Sequence, residues 1–517
     1  MNTAEGNVQG DGYVRGIDYT HGYCAELAPG MLALACASGG IAGPPPDSTT
    51  ARPLRYLELA CGQGVSLNIH AAASPGEFWG IDFNPAHTAN ARDLAAASGS
   101  GLRIHAESFE TFAAREAVPM FDVIAMHGTW SWISAANRHL VVEIARRGLA
   151  PGGLFFVSYN CMPGWASEVP LRHLLVQHAE LAEPPAQDLA SRIDVSIGFA
   201  QSLADAGARF FRVHATLDAW LRDMRSRSPQ YLAHEYFNRD WHPMPSADVA
   251  EALSAAGLSF AASATLSDHA PGLGLTGKGR ALLAGIGHPM LRETVFDYLA
   301  NRRFRRDIYA RDAAALSSAA REERLCAIPF VLLQHPDHVS ARIQVSGGET
   351  VLPPHVLEPF VAALAEDPAP RTLRELMAHP GCLEIGFANL LQAALLLTRA
   401  GSLHPAQSAL AIEAAAPRCK ALNARFLEIA ATTGKAPALA SPVIGAGVYA
   451  ERREMLFLRA LARGKSAEEE WARHAWDCLN PDAGPPAVAD EGLARLTADA
   501  RAFARIRLPV LRALRVA

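Results

Sequence analysis

The sequence predicts an α/β chain built on a doubly wound, mostly parallel, seven-stranded Rossmann-like sheet. A helical insertion and a mainly helical, winged-helix-like C-terminal region complete it. Three observations carry this expectation. Five short β-like runs alternate with helical patterns in the first third of the chain. Residues 166–245 then read as helices without strands. Two more β-like runs follow before a strand-poor remainder.

The five runs are 54–60, 77–82, 102–106, 121–127 and 154–159. Helical patterns of crossover length separate them, which implies parallel strands joined by right-handed connections. One helix is expected over 65–73. A second, 85–97, has Asn84 to cap it, Pro85 in its first position and Gly99 past its end. A third, 135–147, has Ser134 at its start and Arg146, Arg147 and Gly148 at its end. A helix at 246–256 and strands at 258–266 and 306–309 close the same sheet. The expected domains are a core with an N-terminal lid (1–165), an insertion over the active site (166–245), a segment closing the sheet (246–315) and a separate C-terminal domain (316–517). In the last, Thr372 and Glu375 form a capping box. Gly381 breaks that helix, and an apolar helix over 385–399 ends before Gly401.

At 517 residues the chain exceeds a single hydrophobic core. Its 50% hydrophobic and 19% charged content is that of an ordinary globular protein. A net charge of −5 and a pI near 6.4 argue against nucleic acid as a partner. Arg495, Arg501, Arg505, Arg507, Arg512 and Arg515 read instead as a solvated helix face. The eight cysteines include no Cys-x-x-Cys pair, so neither a metal ribbon nor a dithiol site is expected, and free thiols suit the cytoplasm. The apolar run 31–37 is too short for a signal peptide, and no stretch approaches the ~20 residues of a membrane span, so no membrane insertion is expected.

The strongest local signal is Leu57-Glu-Leu-Ala-Cys-Gly-Gln-Gly64, a strand running into a glycine turn and then a helix. Gly62 and Gly64 let the backbone approach a ligand closely. Glu58 can reach a positive amino group, and Asp82, ending the second strand, can accept two ribose hydroxyls. A dinucleotide would need a third glycine, which Val65-Ser66-Leu67 does not provide. S-adenosyl-L-methionine (SAM) has no phosphate and carries a methionyl ammonium, which suits Glu58. With Asp82 and Phe121-Asp-Val-Ile-Ala-Met-His127, the turn favours SAM, with S-adenosyl-L-homocysteine as its product.

The sequence also resembles the bacterial class I methyltransferases that carry a methyltransferase regulatory domain, a group including rickettsial protein lysine methyltransferases of outer-membrane proteins. The resemblance rests on Tyr19-Thr-His-Gly-Tyr-Cys-Ala-Glu-Leu-Ala-Pro29, the Glu58–Gly64 turn, Gly80-Ile-Asp-Phe-Asn-Pro85 and His127-Gly-Thr-Trp-Ser-Trp-Ile133. It continues through Leu149-Ala-Pro-Gly-Gly153, Ser158-Tyr-Asn-Cys-Met-Pro-Gly-Trp165, Tyr231-Leu-Ala-His-Glu-Tyr-Phe-Asn238, Asn301-Arg-Arg-Phe-Arg-Arg306 and Ala438-Leu-Ala-Ser-Pro442. Ala60 departs from it, standing where such enzymes usually have glycine. The resemblance implies that Glu58, Ala60, Gly62 and Gly64 surround the methionine part of SAM and that Asp82, with Phe83 beside it, holds the ribose. It implies that Glu107, Ser108 and Phe109 border the adenine, that His127 lies below the sulfonium, and that Tyr19, His21 and Tyr23 form a lid.

Methyl transfer from a sulfonium is an in-line displacement, so placing the nucleophile is much of the catalysis. Trp130, Trp132, Tyr159 and Trp165 follow the carboxyl ends of strands four and five, where open α/β sheets bind ligands. Asn160 could orient a substrate amine. His234, Glu235 and Tyr236 of the insertion are the candidates for a base or substrate contact. Each residue also has a packing role open to it: Trp132 as core, Trp165 as an anchor for the insertion, His127 as a hydrogen-bonded packing histidine, Glu235 as a paired carboxylate. The run Arg302, Arg303, Arg305, Arg306 is expected to pair with Asp297, Asp307 and Asp312. Three functions compete: methylation of protein lysines, which the resemblance implies; methylation of a small molecule; and a SAM-binding regulator. The apolar helix over 385–399 suits packed core or a homodimer interface better than DNA.

Overall fold

The structure, a computed structural model, describes residues 21–44, 52–181, 188–227, 229–238, 240–270, 272–482 and 491–517. Seven strands form one sheet: β1 (Arg55–Leu59), β2 (Glu77–Asp82), β3 (Arg103–Ala106), β4 (Phe121–Met126), β5 (Leu149–Asn160), β6 (Leu258–Ser263) and β7 (Phe304–Arg311). Their spatial order is β3-β2-β1-β4-β5-β7-β6. The first five are parallel, and β7 runs antiparallel to both β5 and β6. β5 starts earlier than expected. Leu149 pairs with Phe121, and the register shifts across the Pro-Gly-Gly turn before Leu154 pairs with Val123.

Helices α1 (Pro29–Ser38), α2 (Val65–Ala73), α3 (Pro85–Ser98), α4 (Phe109–Ala113) and α5 (Ala135–Gly148) flank this sheet. The expected caps form. The Asn84 side chain accepts from Ala86 N, the Ser134 hydroxyl from Asn137 N, and Gly99 ends α3 at φ 63°.

The insertion consists of α6 (Glu168–Leu181), α7 (Leu189–Asp205), α8 (Arg209–Val213), α9 (Leu217–Ser226) and α10 (Pro229–Tyr236), around a small core that includes Leu175, Ile193 and Leu221. The arginine run ties it to the sheet. Arg303 donates to Glu168 at 2.6 Å and lies over the Trp165 ring, whose Nε1 donates to Arg303 O. Arg305 is fully buried and bonds Asp307, Asp297 and Glu293, while Arg302 bonds Asp268. Asp297 and Asp307 are partners as expected; Asp312 is not, and Asp268, Glu293 and Glu168 join instead. A guanidinium offers five donors in a fixed fork, so one buried arginine can satisfy several carboxylates at once.

The C-terminal region is not separate in its packing. Every residue of α2 is buried, and an apolar helix of that kind needs cover on all sides. The cover is the helix Ala409–Thr432 with the hairpin Ala438–Ser441 and Ala446–Tyr449. Arg418 donates to Ala72 O, Gln407 to Ala73 O and Ser74 to Gly445 O. Leu67 and Ile69 share one core with Leu422, Phe426 and Leu439.

The Thr372–Glu375 capping box forms, and a helix runs Phe387–Arg399. The strands Pro329–Leu332, Arg371–Thr372 and Leu403–Pro405 make a small sheet beside it. After Leu403–Pro405 the chain enters a 24-residue helix rather than a wing. Leu390, Leu395, Leu396 and Leu397 are buried, so that helix is interior to the protein. Among the described residues, no helix is long and apolar enough to cross a membrane.

Candidate active site

A cleft opens at the carboxyl ends of β1, β2 and β4, where open α/β sheets bind ligands. Three of its walls come from consecutive strand ends. Ala60 and Gly62 follow β1; Ile81, Asp82 and Phe83 end β2; Glu107, Ser108 and Phe109 follow β3. His127, Gly128 and Thr129 follow β4, and Trp132, Ile133 and Asn137 continue from there. Glu235, from α10, reaches in from the insertion.

The turn after β1 is shaped by its backbone. Gly62 and Gly64 have φ 55° and 71°. A Cβ at Gly64 would stand 2.4 Å from the Ala91 Cβ, so glycine there is what lets α2 and α3 approach. A Cβ at Gly62 would meet no protein atom; this position borders the cleft. Ala60 adopts φ 55° despite its side chain.

The two acidic residues differ sharply. Asp82 accepts from Gly62 N and Asn84 N, each at 2.9 Å, one bond per carboxylate oxygen. Both oxygens keep lone pairs for a ligand, and the His87 ring lies 3.4 Å away. Glu58 is 5% exposed, and its Oε2 is buried with no hydrogen-bond partner. Burial pushes its carboxyl up to about 8; His127 opposes that rise and Asp82 adds to it. An unpartnered buried carboxylate is costly, and a cation would relieve it. Glu107 is already committed, since Arg115 grips both of its oxygens.

His127 is held from beneath. Its Nε2 is 3.2 Å from Glu26 and its Nδ1 3.6 Å from the Cys24 sulfur. Arg306 donates to the same Glu26 oxygen at 2.5 Å. Burial resists a charged imidazole, but Cys24 and Glu26 outweigh it and raise His127 to about 10. Glu26 is correspondingly held well below the usual carboxylate range against its burial, by His127 first and Arg306 second.

Several expected contacts are not brought to the cleft. Tyr19 lies outside the described residues, and neither His21 nor Tyr23 lines the pocket. Tyr23 is buried against the C-terminal hairpin, its hydroxyl accepting from Gly447 N beside His70 and Tyr449. The N-terminal residues that touch a lining residue are instead Cys24 and Glu26, both against His127. Trp130 is fully buried in the sheet's second core, as is Tyr159, whose hydroxyl donates to Asp307 at 2.7 Å. Packing thus claims both. Asn160 is buried and does not line the cleft; its backbone bonds Ser131 and Met244. Tyr236 packs among Trp165, Trp220 and Tyr231. Gly64 caps α2 rather than lining the pocket. The side chain of His234 lies outside what is described. Conversely, His87, Thr129, Ile133 and Asn137 line the cleft without having been singled out. His87 and Asn137 sit in first helical turns, where no local pattern distinguishes a pocket residue from a solvated one.

Two family descriptions match the chain: "methyltransferase domain" over residues 57–153 and "predicted methyltransferase regulatory domain" over 228–311. An uncharacterized protein of Synechocystis is 32% identical over 472 residues, 91% of this chain and 90% of the relative. The chain belongs to the SAM-dependent methyltransferases that carry a methyltransferase regulatory domain. Two structures of PKMT2 from Rickettsia typhi share its fold almost from end to end. The one in complex with AdoHcy has TM-score 0.64 at 16% identity, covering 93% of this chain and 98% of that one. The other has TM-score 0.66, with 96% and 98% covered.

The residues present fit the cofactor of this methyltransferase family. Glu58 does not itself line the cleft, but it is a buried carboxyl with an unpartnered oxygen whose ionised form a methionyl ammonium would stabilise, and Asp82 is a preoriented acceptor pair suited to a ribose. The Gly62 position leaves the space a backbone-hugging ligand needs.

Proposed function

We propose that this methyltransferase N-methylates lysine side chains of a protein substrate in the cytoplasm. The observation that carries the reading is Glu235, a carboxylate that α10 brings to the cleft opposite the cofactor residues. Burial raises its pKa from its ordinary value. A carboxyl of that kind is better matched to accepting a proton from a lysine ammonium near neutral pH. Trp132, which lines the cleft, contacts Trp241, which in turn contacts Trp165. Trp132 is the ring of this cluster that faces the cleft, where it excludes water and attracts a cationic side chain. Support also comes from the end-to-end fold shared with rickettsial PKMT2, and from the motifs that resemble the rickettsial protein lysine methyltransferases. All eight cysteines are free, in keeping with a reducing compartment.

SAM supplies, when bound, an electrophilic methyl group on a sulfonium. The protein's residues do the rest. Asp82 and Glu58 fix the cofactor's two polar ends, and Trp132 lines the acceptor side. Glu235 takes the proton that the lysine must lose before its nitrogen lone pair can attack.

The purified protein, incubated with methyl-labelled SAM and a bacterial lysate, is expected to label protein, with the label on lysine after hydrolysis. Label confined to small molecules would overturn the lysine reading.

A further inference from the structure

A second cavity, about 500 Å³, lies away from the cleft between the loop after β6, the helices Gly277–Ala284 and Pro289–Ala300, and the turn of the hairpin Arg342–Val351. None of its lining residues borders the catalytic cleft. Its walls are largely apolar, with Leu273, Leu275, Leu283, Phe296 and Val345 facing it.

Its charges are unbalanced. Two carboxylates reach it, and both are already used: Asp268 by Arg302, Ser263 and Ser346, and Glu293 by Arg305. Two arginines also line it. Arg280 donates to the carbonyls of Leu275 and Gly272, at 2.9 and 3.4 Å, and to no carboxylate. Arg292 makes no ion pair with any described residue. A third polar group points the same way. Ser267, 3% exposed and lining the cavity, has a hydroxyl with no hydrogen-bond partner. Buried polar groups normally have partners. An apolar cavity edged by two exposed guanidiniums that pair with no carboxylate among the described residues, with a buried unpartnered hydroxyl in its wall, suits one chemical class.

We propose that this cavity binds an amphipathic anion: an apolar chain or ring ending in a carboxylate or phosphate, with the head at Arg280 and Arg292 and the tail against Leu283 and Phe296. Guanidinium forks match both head groups, and the volume falls within the range of small-molecule sites. Apart from Val345 and Ser346 the site is built from the segment matched as a regulatory domain, but its occupancy does not depend on what the enzyme methylates.

Calorimetric titration of the full-length protein tests this with decanoate, decyl phosphate, decanol and decyltrimethylammonium below their micellar concentrations. The expected result is saturable binding of one or both anions, with the alcohol and the cation at least about 10-fold weaker, the order expected for losing a charge-assisted contact. Which anion binds more tightly identifies the head group. The exposed substitutions Arg280→Gln and Arg292→Gln should each weaken the anions by about 10-fold, and Leu283→Asp should remove binding. All three should leave SAM affinity unchanged, which shows that the variants are folded. Decanol binding as well as decanoate, arginine variants binding like the parent, or no saturable anion binding below millimolar would each overturn the proposal.

Discussion

The cofactor wall and the acceptor wall of the cleft are built by different means. The cofactor wall is made of backbone: the turn after β1, the end of β2 and the segment after β3, with Asp82 oriented by two neighbouring amides. The acceptor wall is made of side chains delivered from afar. Trp132 comes from a short helical turn, Glu235 from a separate helical insertion, and Glu26, which holds His127, from the N-terminal segment. The first wall needs only a sheet with the right order. The second needs the insertion and the N-terminal segment to dock, which the Arg303–Glu168 and Arg306–Glu26 contacts secure. The comparison implies that the two walls can be disabled separately.

The largest separation should come from Asp82→Ala. It removes both ribose acceptors and the two backbone bonds that set the turn. Charge-assisted hydrogen bonds contribute about 1.5–3 kcal/mol each, so SAM affinity should fall by about 10²–10⁴-fold. Equilibrium binding of SAM measures this, and a drop of less than 10-fold would remove Asp82 from the cofactor wall. Glu235→Gln is the reciprocal change. It should lower kcat by about 10²-fold, the lower end of a general-base contribution, while SAM affinity stays within twofold. If SAM affinity fell along with kcat, the two walls would not be independent.

These walls also differ in how far the sequence discloses them. The strand positions, the Asn84 and Ser134 caps, the glycine turn and Asp82 are all set by local patterning, and Ala60, Gly62, Asp82, Phe83, Glu107, Ser108, Phe109 and His127 do line one cleft. Proximity to a strand end was a poor guide on the acceptor side. Tyr159, near the end of β5, and Trp130, after β4, sit at the right strands but are absorbed by the core, because a large apolar body gains more there. Tyr23 was expected over the cofactor, yet it is claimed by Gly447, 424 residues away in the chain. No local pattern can report a partner at that distance. The same applies to the Glu26–His127 pair and to the burial of α2, since both depend on segments far apart in sequence.

Glu58 sharpens the cofactor wall through pH. In the free protein its carboxyl, pushed up to about 8, holds a proton through neutral pH. The folded state then binds a proton that the unfolded chain has lost, so this group's contribution to stability falls as pH rises from the ordinary carboxylate range toward 8. A bound ammonium favours the carboxylate and expels the proton. SAM affinity should therefore rise with pH below 8, by up to about 10-fold per unit for one coupled proton. Titrations in buffers of different ionisation enthalpy would show the released proton. Glu58→Gln should flatten the profile; an unchanged slope would place the cation elsewhere.

Ala60 offers the smallest effect and the finest test of the backbone wall. At φ 55° it occupies the left-handed region, where an L side chain crowds the following carbonyl. Left-handed backbone costs a non-glycine residue about 1–2 kcal/mol, whereas glycine gives back about 0.5–1 kcal/mol through its freer unfolded chain. Ala60→Gly should therefore change stability by only about 1 kcal/mol, on the stabilising side. Chemical denaturation with and without SAM reads both effects. If the turn is already in its binding geometry, the gain should be equal in the two conditions, because the strain is relieved equally in each. A gain seen only with SAM would mean that the free turn relaxes and that the cofactor, not the sheet, imposes the left-handed conformation.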